Sequence, residues 1–337
     1  MKLETFSPYP RVTLSPYLCF RSPHLRACTL RCGVSARRRV SPSPYQIFWS
    51  MDILVYGFVN SFSLALMAIG FTLVYGISRL PNFAHGALYV ITGFAVWWFL
   101  NKLHLNYFLA IPLALVLMGL VGAAIYRFVL IRVRGMATSE IIATYALGLA
   151  ILEFLRWRGF RGMTYTLPVF IEGSISIGGV PVDFQRIIVI AIGMIVVSFM
   201  WLFTHFNRTG LALRGMAQDE HAAMMLGIDS DWMAVIAMGM GSILAGLSAI
   251  ALLPLGNVVV EAGYNVLILS IAVCIVGGLG SWVGAILAAF IIGFLQIIAA
   301  YIQSHFQMVV ALLAIIITLI LRPSGLFGRQ KELEERV

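Results

Sequence analysis

The chain has 337 residues, of which 61% are hydrophobic and only 11% are charged, and its mean hydropathy is +0.95. Soluble domains carry about 25% charged residues, so this composition excludes an ordinary soluble domain. Apolar stretches of about 20 residues recur along nearly the whole chain and predict an all-α polytopic membrane protein.

The formal net charge of +9 is unevenly distributed along the chain. Residues 1–50 hold eight Lys and Arg residues against one acid, Glu4, whereas the remaining residues hold fifteen bases and thirteen acids. Because the excess lies on a segment without a folded basic face, we expect no nucleic-acid partner. We interpret residues 1–50 as a basic extension produced by a start assigned upstream of Met51. A disordered extension and an organellar transit peptide are the alternatives.

Nine apolar segments follow Met51 and define a membrane domain that we expect to cover residues 51–329, before a short tail at 330–337. Several segments are short for a full crossing, and such segments are re-entrant or broken in many membrane proteins. We therefore predict eight to ten transmembrane or re-entrant helical segments. The apolar segments are 53–77, 86–100, 107–130, 140–155, 187–206, 232–253, 265–280, 283–303 and 307–321.

The basic residues favour one orientation of these segments. With the Met51 end outside, ten Lys and Arg residues lie at inner ends and five at outer ends. Because cytoplasmic loops are enriched in Lys and Arg, we expect a cytoplasmic C-terminus and a cytoplasmic insert at 207–231. The loop at 156–186 is then external. Its SISIGGVPVD stretch alternates apolar residues around two glycines and predicts a small external β-hairpin.

Polar and turn-forming residues interrupt the apolar pattern at LPNFAHGALYV, residues 80–90. Pro81 and Gly86 bracket Asn82 and His85 at the junction of two segments. An interrupted helix can direct polar side chains into a substrate path. A simple turn capped by Asn82 is the alternative.

The polar stretch RGMAQDEHAAMMLGIDSD, residues 214–231, predicts a helical insert between apolar segments. It carries the acidic pair Asp219 and Glu220, then two small residues, Ala222 and Ala223, which allow close approach by another protein. Gly227 suits the left-handed turn that ends a helix. A solvated loop helix with no partner is the alternative.

The sequence lacks the motifs of several enzyme classes. No G-x-x-x-x-G-K-[ST] loop is present, so we expect no ATP hydrolysis by this chain, and its histidines are too scattered for a metal triad. No carboxylate falls in the middle of a predicted span, since Glu140 and Glu153 lie near predicted ends. Proton-driven carriers need such a group, so a proton-driven mechanism is disfavoured. A self-contained carrier or channel driven in another way stays the alternative.

Four stretches in order resemble the permease family of branched-chain amino acid ABC importers, the LivH type. They are GFTLVYGISRLPNFAHGALYVITG at 70–93, TGLALRGMAQDEHAAMMLGID at 209–229, VGGLGSWVGAILAAFIIG at 276–293 and RPSGLFGR at 322–329. The resemblance covers about residues 51–329. It implies a permease of the cell inner membrane that translocates branched-chain or related small amino acids, or amide-type solutes.

The resemblance also implies partners and site residues. The partners are a second homologous permease, two cytoplasmic ABC ATPases that hydrolyse ATP, and an external or periplasmic solute-binding protein. No cofactor would be bound by this chain itself. The implied ATPase-coupling residues are Arg214, Asp219, Glu220, Ala222, Ala223 and Gly227. The implied translocation-path residues are Asn82, His85, Gly86, Gly277, Gly278, Gly280 and Ser281.

Overall fold

The computed structural model describes residues 44–79, 81–160, 164–177 and 179–328. The expectations for residues 1–43 and 330–337 therefore lie outside the described residues. The first helix begins at Pro44, before the expected domain boundary at residue 51. The helices are α1 (Pro44–Ser78), α2 (His85–Asn101), α3 (Tyr107–Phe128), α4 (Ala137–Phe154), α5 (Phe184–Phe206), α6 (Arg208–Gln218), α7 (Glu220–Met225), α8 (Ser230–Leu252), α9 (Glu261–Gly277), α10 (Trp282–Ile302) and α11 (Phe306–Leu321).

Each of the nine predicted apolar segments is a helix, which confirms the all-α polytopic fold. Within the described ranges, six helices are long and apolar enough to cross a membrane. Helices α2, α9 and α11 have 17, 17 and 16 residues. At about 1.5 Å per residue they fall short of a hydrocarbon layer of about 30 Å. The six spans are Met51–Ser78, Tyr107–Arg132, Thr138–Gly159, Phe184–Phe206, Ser230–Leu255 and Trp282–Ile302.

Helix α8 is the central element of the bundle, packed against α1, α2 and α3. Its row of small residues allows this packing: a Cβ added at Gly241 would lie 2.3 Å from Val74 of α1. In a membrane, such close approach stabilises helix pairs through van der Waals contacts instead of a hydrophobic driving force. Helix α8 is therefore buried on several sides.

The predicted β-hairpin is present. Strands β1 (Ser174–Ile177) and β2 (Val180–Asp183) pair antiparallel, with Ile175 opposite Val182. This part of the molecule is called the hairpin end below, and the part that contains α6 and α7 is called the insert end. Helix α8 connects the insert end, at Ser230, to the hairpin end, at Leu252.

Two sets of contacts tie the hairpin end to the C-terminal end of α8. The buried Gln185 side chain donates from Nε2 to the Ala251 carbonyl, at 2.9 Å, and accepts from the Phe170 amide, at 3.1 Å. Tyr165 forms a β-bridge with Val258, and its ring stacks on Trp97. The segment that precedes the hairpin is thus held through uncharged groups, of which the Gln185 side chain is fully buried.

Candidate functional site

The polar insert consists of two helices, not one. Helix α6 ends at Gln218, and Asp219 adopts an extended backbone conformation before α7 begins. The Asp219 carboxylate accepts a hydrogen bond from the Ala222 amide at 3.0 Å, which makes Asp219 the N-cap of α7. The predicted helical insert is therefore interrupted at the acidic pair, since Asp219 separates α6 from α7. The same hydrogen bond lowers the pKa of the Asp219 carboxyl below its ordinary value.

Gly227 ends α7 in the left-handed conformation that its sequence position predicts. Its φ is +84°, its amide donates to the Met224 carbonyl, and the Ile228 amide donates to the Ala223 carbonyl. This pair of hydrogen bonds is the Schellman motif, which satisfies the last carbonyls of a helix. The two ends of α7 are thus fixed by its own sequence although the helix has only six residues.

The two faces of the insert differ sharply. Ala223 is buried, whereas Ala222, beside it, and Arg214, on α6, are exposed. Beyond them lies an exposed apolar tip, defined here as Met224, Met225 and Leu226; the exposed fraction is 90% for Met225 and 83% for Leu226. Apolar side chains grouped at the tip of a polar insert indicate a surface that another protein covers.

An arginine outside the insert binds it to the rest of the bundle. The Arg134 guanidinium, in the α3–α4 connection, donates hydrogen bonds to Glu220, Ser230 and Asp231. The Ser230 hydroxyl also donates to Glu220, at 2.5 Å. These four residues are called the Arg134 cluster below. Glu220, expected on the partner-facing surface, therefore interacts with its own chain.

The Arg134 cluster joins α7, the start of α8 and the α3–α4 connection through one side chain. Arginine suits this position because its planar guanidinium presents several N–H groups in a fixed arrangement. Partial burial acts to lower the pKa of Arg134, but Tyr126, Asp231 and Glu220 outweigh it, and the net direction is upward. Arg134 therefore stays charged across the physiological pH range.

A narrow cleft lies beside the Arg134 cluster. Four helices and the α1–α2 junction form its walls. The Tyr126 hydroxyl, in one wall, donates to Asp231 at 3.4 Å and so connects the cleft to the cluster. The lining residues are Val74, Ile77, Ser78, Pro81, Asn82, Tyr126, Leu130, Glu140, Thr144, Ala234, Ala237 and Met238.

Of the expected translocation-path residues, Asn82 lines this cleft. Its Oδ1 accepts from the Ala84 amide at 3.0 Å, so Asn82 also caps the turn before α2. His85 is fully buried elsewhere and donates from Nε2 to the Met67 carbonyl, at 3.0 Å. Gly86 lies at the crossing of α2 and α9, where an added Cβ would be 2.1 Å from the Gly263 carbonyl oxygen.

The other expected path residues build the turn between α9 and α10. Gly278 and Gly280 have positive φ values, and the Ser281 hydroxyl accepts from the Gly284 amide to cap α10. The Gly277 carbonyl accepts from the Phe327 amide, at 3.0 Å, which attaches the RPSGLFG segment to this turn. None of these four residues lines the cleft, and their part in translocation stays a prediction.

Comparison with known proteins places the chain in a family. A family model described as the permease component of the branched-chain amino acid transport system matches residues 53–321. The chain belongs to this family. The family to which the sequence motifs pointed is thereby confirmed.

The chain matches curated relatives from this permease family over nearly the whole length of each relative. The chain is 28% identical over 318 residues to the high-affinity branched-chain amino acid transport system permease protein BraD of Pseudomonas aeruginosa, covering 84% of this chain and 97% of BraD. It is 26% identical over 304 residues to the corresponding LivH of Escherichia coli K12, with 84% and 97% covered. A probable LivH of Methanocaldococcus jannaschii is 28% identical, with 82% and 92% covered.

One solved structure shows a related fold. "PsaBC from Streptococcus pneumoniae in complex with Fab" aligns with a TM-score of 0.50 and 13% identity, covering 86% of this chain and all of that one. Within the described ranges of the present chain, no three His, Cys, Asp or Glu side chains converge on a metal-sized site. The candidate site consists of the ends of α6, α7 and α8, the apolar tip and the cleft.

Proposed function

We propose that this chain is the membrane-spanning permease subunit of an ABC importer for branched-chain or related small amino acids, or amide-type solutes, in the cell inner membrane. The observation that carries the proposal is the family match over residues 53–321, which includes both the spans and the insert. ATP is hydrolysed by partner subunits, and this chain is not an enzyme and binds no cofactor.

The full importer contains a second homologous permease, two cytoplasmic ABC ATPases and an external or periplasmic solute-binding protein. The ATPases meet the insert end, and the solute-binding protein meets the hairpin end. The bias of Lys and Arg residues supports this orientation, with the Met51 end outside and the C-terminus in the cytoplasm.

The coupling route begins at the apolar tip. Met225 and Leu226 insert into a groove of the ATPase, and the exposed Ala222 allows the two backbones to approach. When ATP binding closes the ATPase pair, the displacement of α7 passes through Glu220 and Arg134 to Asp231 at the start of α8. Coupling of this kind is a difference in ATPase affinity between two states of the permease.

Capture of an ATPase by the full-length chain tests the proposal. Wild-type chain should retain candidate ABC ATPase subunits through detergent purification, and Met225→Glu should weaken this capture. Ile171→Glu is the matched control, because Ile171 is also exposed but lies beside the hairpin. Replacement of Asp219 or Glu220 would be less informative, since both bind their own chain.

The rival function is a self-contained carrier or channel. Equal capture by wild type and Met225→Glu would contradict the assignment of the apolar tip. Solute uptake by the purified chain alone, with no ATPase present, would overturn the importer proposal as a whole.

A further inference from the structure

Helix α4 lies at the edge of the bundle and exposes a polar side chain close to the middle of its span. The Tyr145 side chain is 49% exposed. At about 1.5 Å per residue it lies 5 Å from the midpoint of the span Thr138–Gly159. Its ring meets Phe83 edge to face, with ring centroids 6.1 Å apart. Within the described residues its hydroxyl forms no hydrogen bond, and such a group is costly to place in hydrocarbon.

Helix α9 exposes a second polar side chain. Asn265 lies one turn after the start of α9 at Glu261, and both side chains are exposed. Because residues four apart share one face of a helix, Asn265 continues the face that begins with Glu261. In the described part of the chain the Asn265 amide group has no hydrogen-bonding partner. An exposed amide is as unsuited to a lipid surface as the Tyr145 hydroxyl.

Contacts between α4 and α9 place these side chains on one surface. Arg156, in the π-helical turn that follows α4, forms an ion pair with Glu261 at 3.1 Å. Deeper in the bundle, a Cβ added at Gly263 of α9 would lie 3.2 Å from the Leu152 side chain of α4. The surface that results is called the α4–α9 face below and is defined by Phe83, Tyr145, Arg156, Glu261 and Asn265.

The α4–α9 face differs from the other exposed faces of the bundle. The exposed faces of α3, α10 and α11 carry apolar side chains through their middle turns, such as Leu120, Leu287 and Ile316. Apolar side chains of this kind suit contact with lipid. Polar side chains within the bilayer turn instead toward other protein or a water-filled cavity. The α4–α9 face is therefore one that lipid does not cover.

We infer that the α4–α9 face is turned toward the second permease subunit and forms this chain's wall of a water-filled solute path. Tyr145 lies near the middle of that wall, Asn265 lies nearer its outer end, and the Arg156–Glu261 ion pair stands at the outer mouth. A phenol and an amide can both donate and accept hydrogen bonds, so they can replace the water that a solute loses on entry. The inference rests on the proposed function and places the path on a different surface from the narrow cleft.

Accessibility of introduced thiols to water tests the inference. Tyr145→Cys and Asn265→Cys are made singly in the full-length chain, and the importer is assembled in proteoliposomes with the second permease, the ATPases and the solute-binding protein. The probe is a charged methanethiosulfonate, which reacts with the thiolate that forms in water. The native cysteines are first replaced through Cys19→Ser, Cys28→Ser, Cys32→Ser and Cys274→Ala.

The matched control is Leu120→Cys on α3. Leu120 is 64% exposed, more than Tyr145, so exposure in the isolated chain does not by itself explain a difference. Both test positions should react at least about tenfold faster than Leu120→Cys, because a thiol in hydrocarbon stays protonated. Reaction rates no faster than that of the control would overturn the inference.

Uptake separates the solute path from any other water-filled surface. Modification of Asn265→Cys should lower ATP-driven leucine uptake by at least about tenfold, since the attached group obstructs the path. Removal of the adduct with a thiol reductant should restore uptake, which a folding defect would not allow. Modified protein with unchanged uptake would overturn the path assignment and leave the importer proposal intact. Uptake that needs no ATPase would overturn the proposed function itself, whatever the reaction rates.

Discussion

The insert end and the hairpin end are both attached to α8, but by different chemistry. At the insert end, Arg134 holds Glu220 and Asp231 through charged side chains that are each about one-third to one-half exposed. At the hairpin end, Gln185 holds two backbone groups and is 1% exposed. Exposed ion pairs contribute about 0–1 kcal/mol, whereas an orphaned buried polar group costs about 1–3 kcal/mol.

This difference suits the two ends to different tasks. Ion pairs that contribute little net free energy to stability can rearrange when a partner protein moves against them. We therefore expect the insert end to change its arrangement more easily than the hairpin end. Buried neutral contacts resist rearrangement, so the hairpin end is built to keep its shape. A coupling element must be able to take up two discrete arrangements, and weakly held contacts of the kind found at the insert end allow such a change.

The largest expected change in stability is at Gln185. Gln185→Leu leaves the Phe170 amide and the Ala251 carbonyl without their partner, at a cost of about 2–4 kcal/mol. The apparent melting temperature of the purified chain should fall clearly. Gln303→Leu is the control, because Gln303 is exposed. Equal melting temperatures for the two variants would show that the hairpin end is not held as described.

A smaller effect is expected at Asp219, and it depends on pH. The pKa of this carboxyl is lower in the folded chain, because its charged form accepts the Ala222 amide. Its stabilisation is therefore complete above the unfolded pKa and is lost as pH falls through the folded pKa. Asp219→Ala should weaken α7 at neutral pH, and its difference from wild type should shrink in acid.

Asn is the matched replacement for this position. Asp219→Asn keeps an N-cap oxygen and has no charge to titrate, so its α7 should stay formed across the same pH range. Hydrogen exchange of the α7 amides measures the effect directly. If the difference in α7 amide exchange between wild type and Asp219→Ala does not change with pH, the charged N-cap is contradicted.

Much of the fold follows from local sequence. Each apolar run became a helix, the alternation around Gly179 became the hairpin, and Gly227 took the left-handed conformation. These features depend on neighbouring residues, and a single sequence displays them. The break at Asp219 was also visible in principle, since aspartate three residues before the bonded amide is a common N-cap pattern.

The candidate site depended on contacts that the sequence does not display. Arg134 lies 86 residues before Glu220 and 97 before Asp231, so nothing local pairs them. In the sequence, Glu140 is recognisable only as a carboxylate near the end of a predicted segment. In the structure it lies in the wall of the cleft that four helices and a turn form. Asn82 was found because its position between Pro81 and Gly86 marks an interrupted helix.

The most direct test of coupling through the insert end is a charge exchange between Arg134 and Glu220. ATP-driven leucine uptake is measured in proteoliposomes with the ATPases and the solute-binding protein. Arg134→Glu should lower uptake on the order of tenfold while the ATPases stay bound, and the added Glu220→Arg should restore part of it. Uptake that is unchanged by Arg134→Glu, or not improved by the second exchange, would contradict the account.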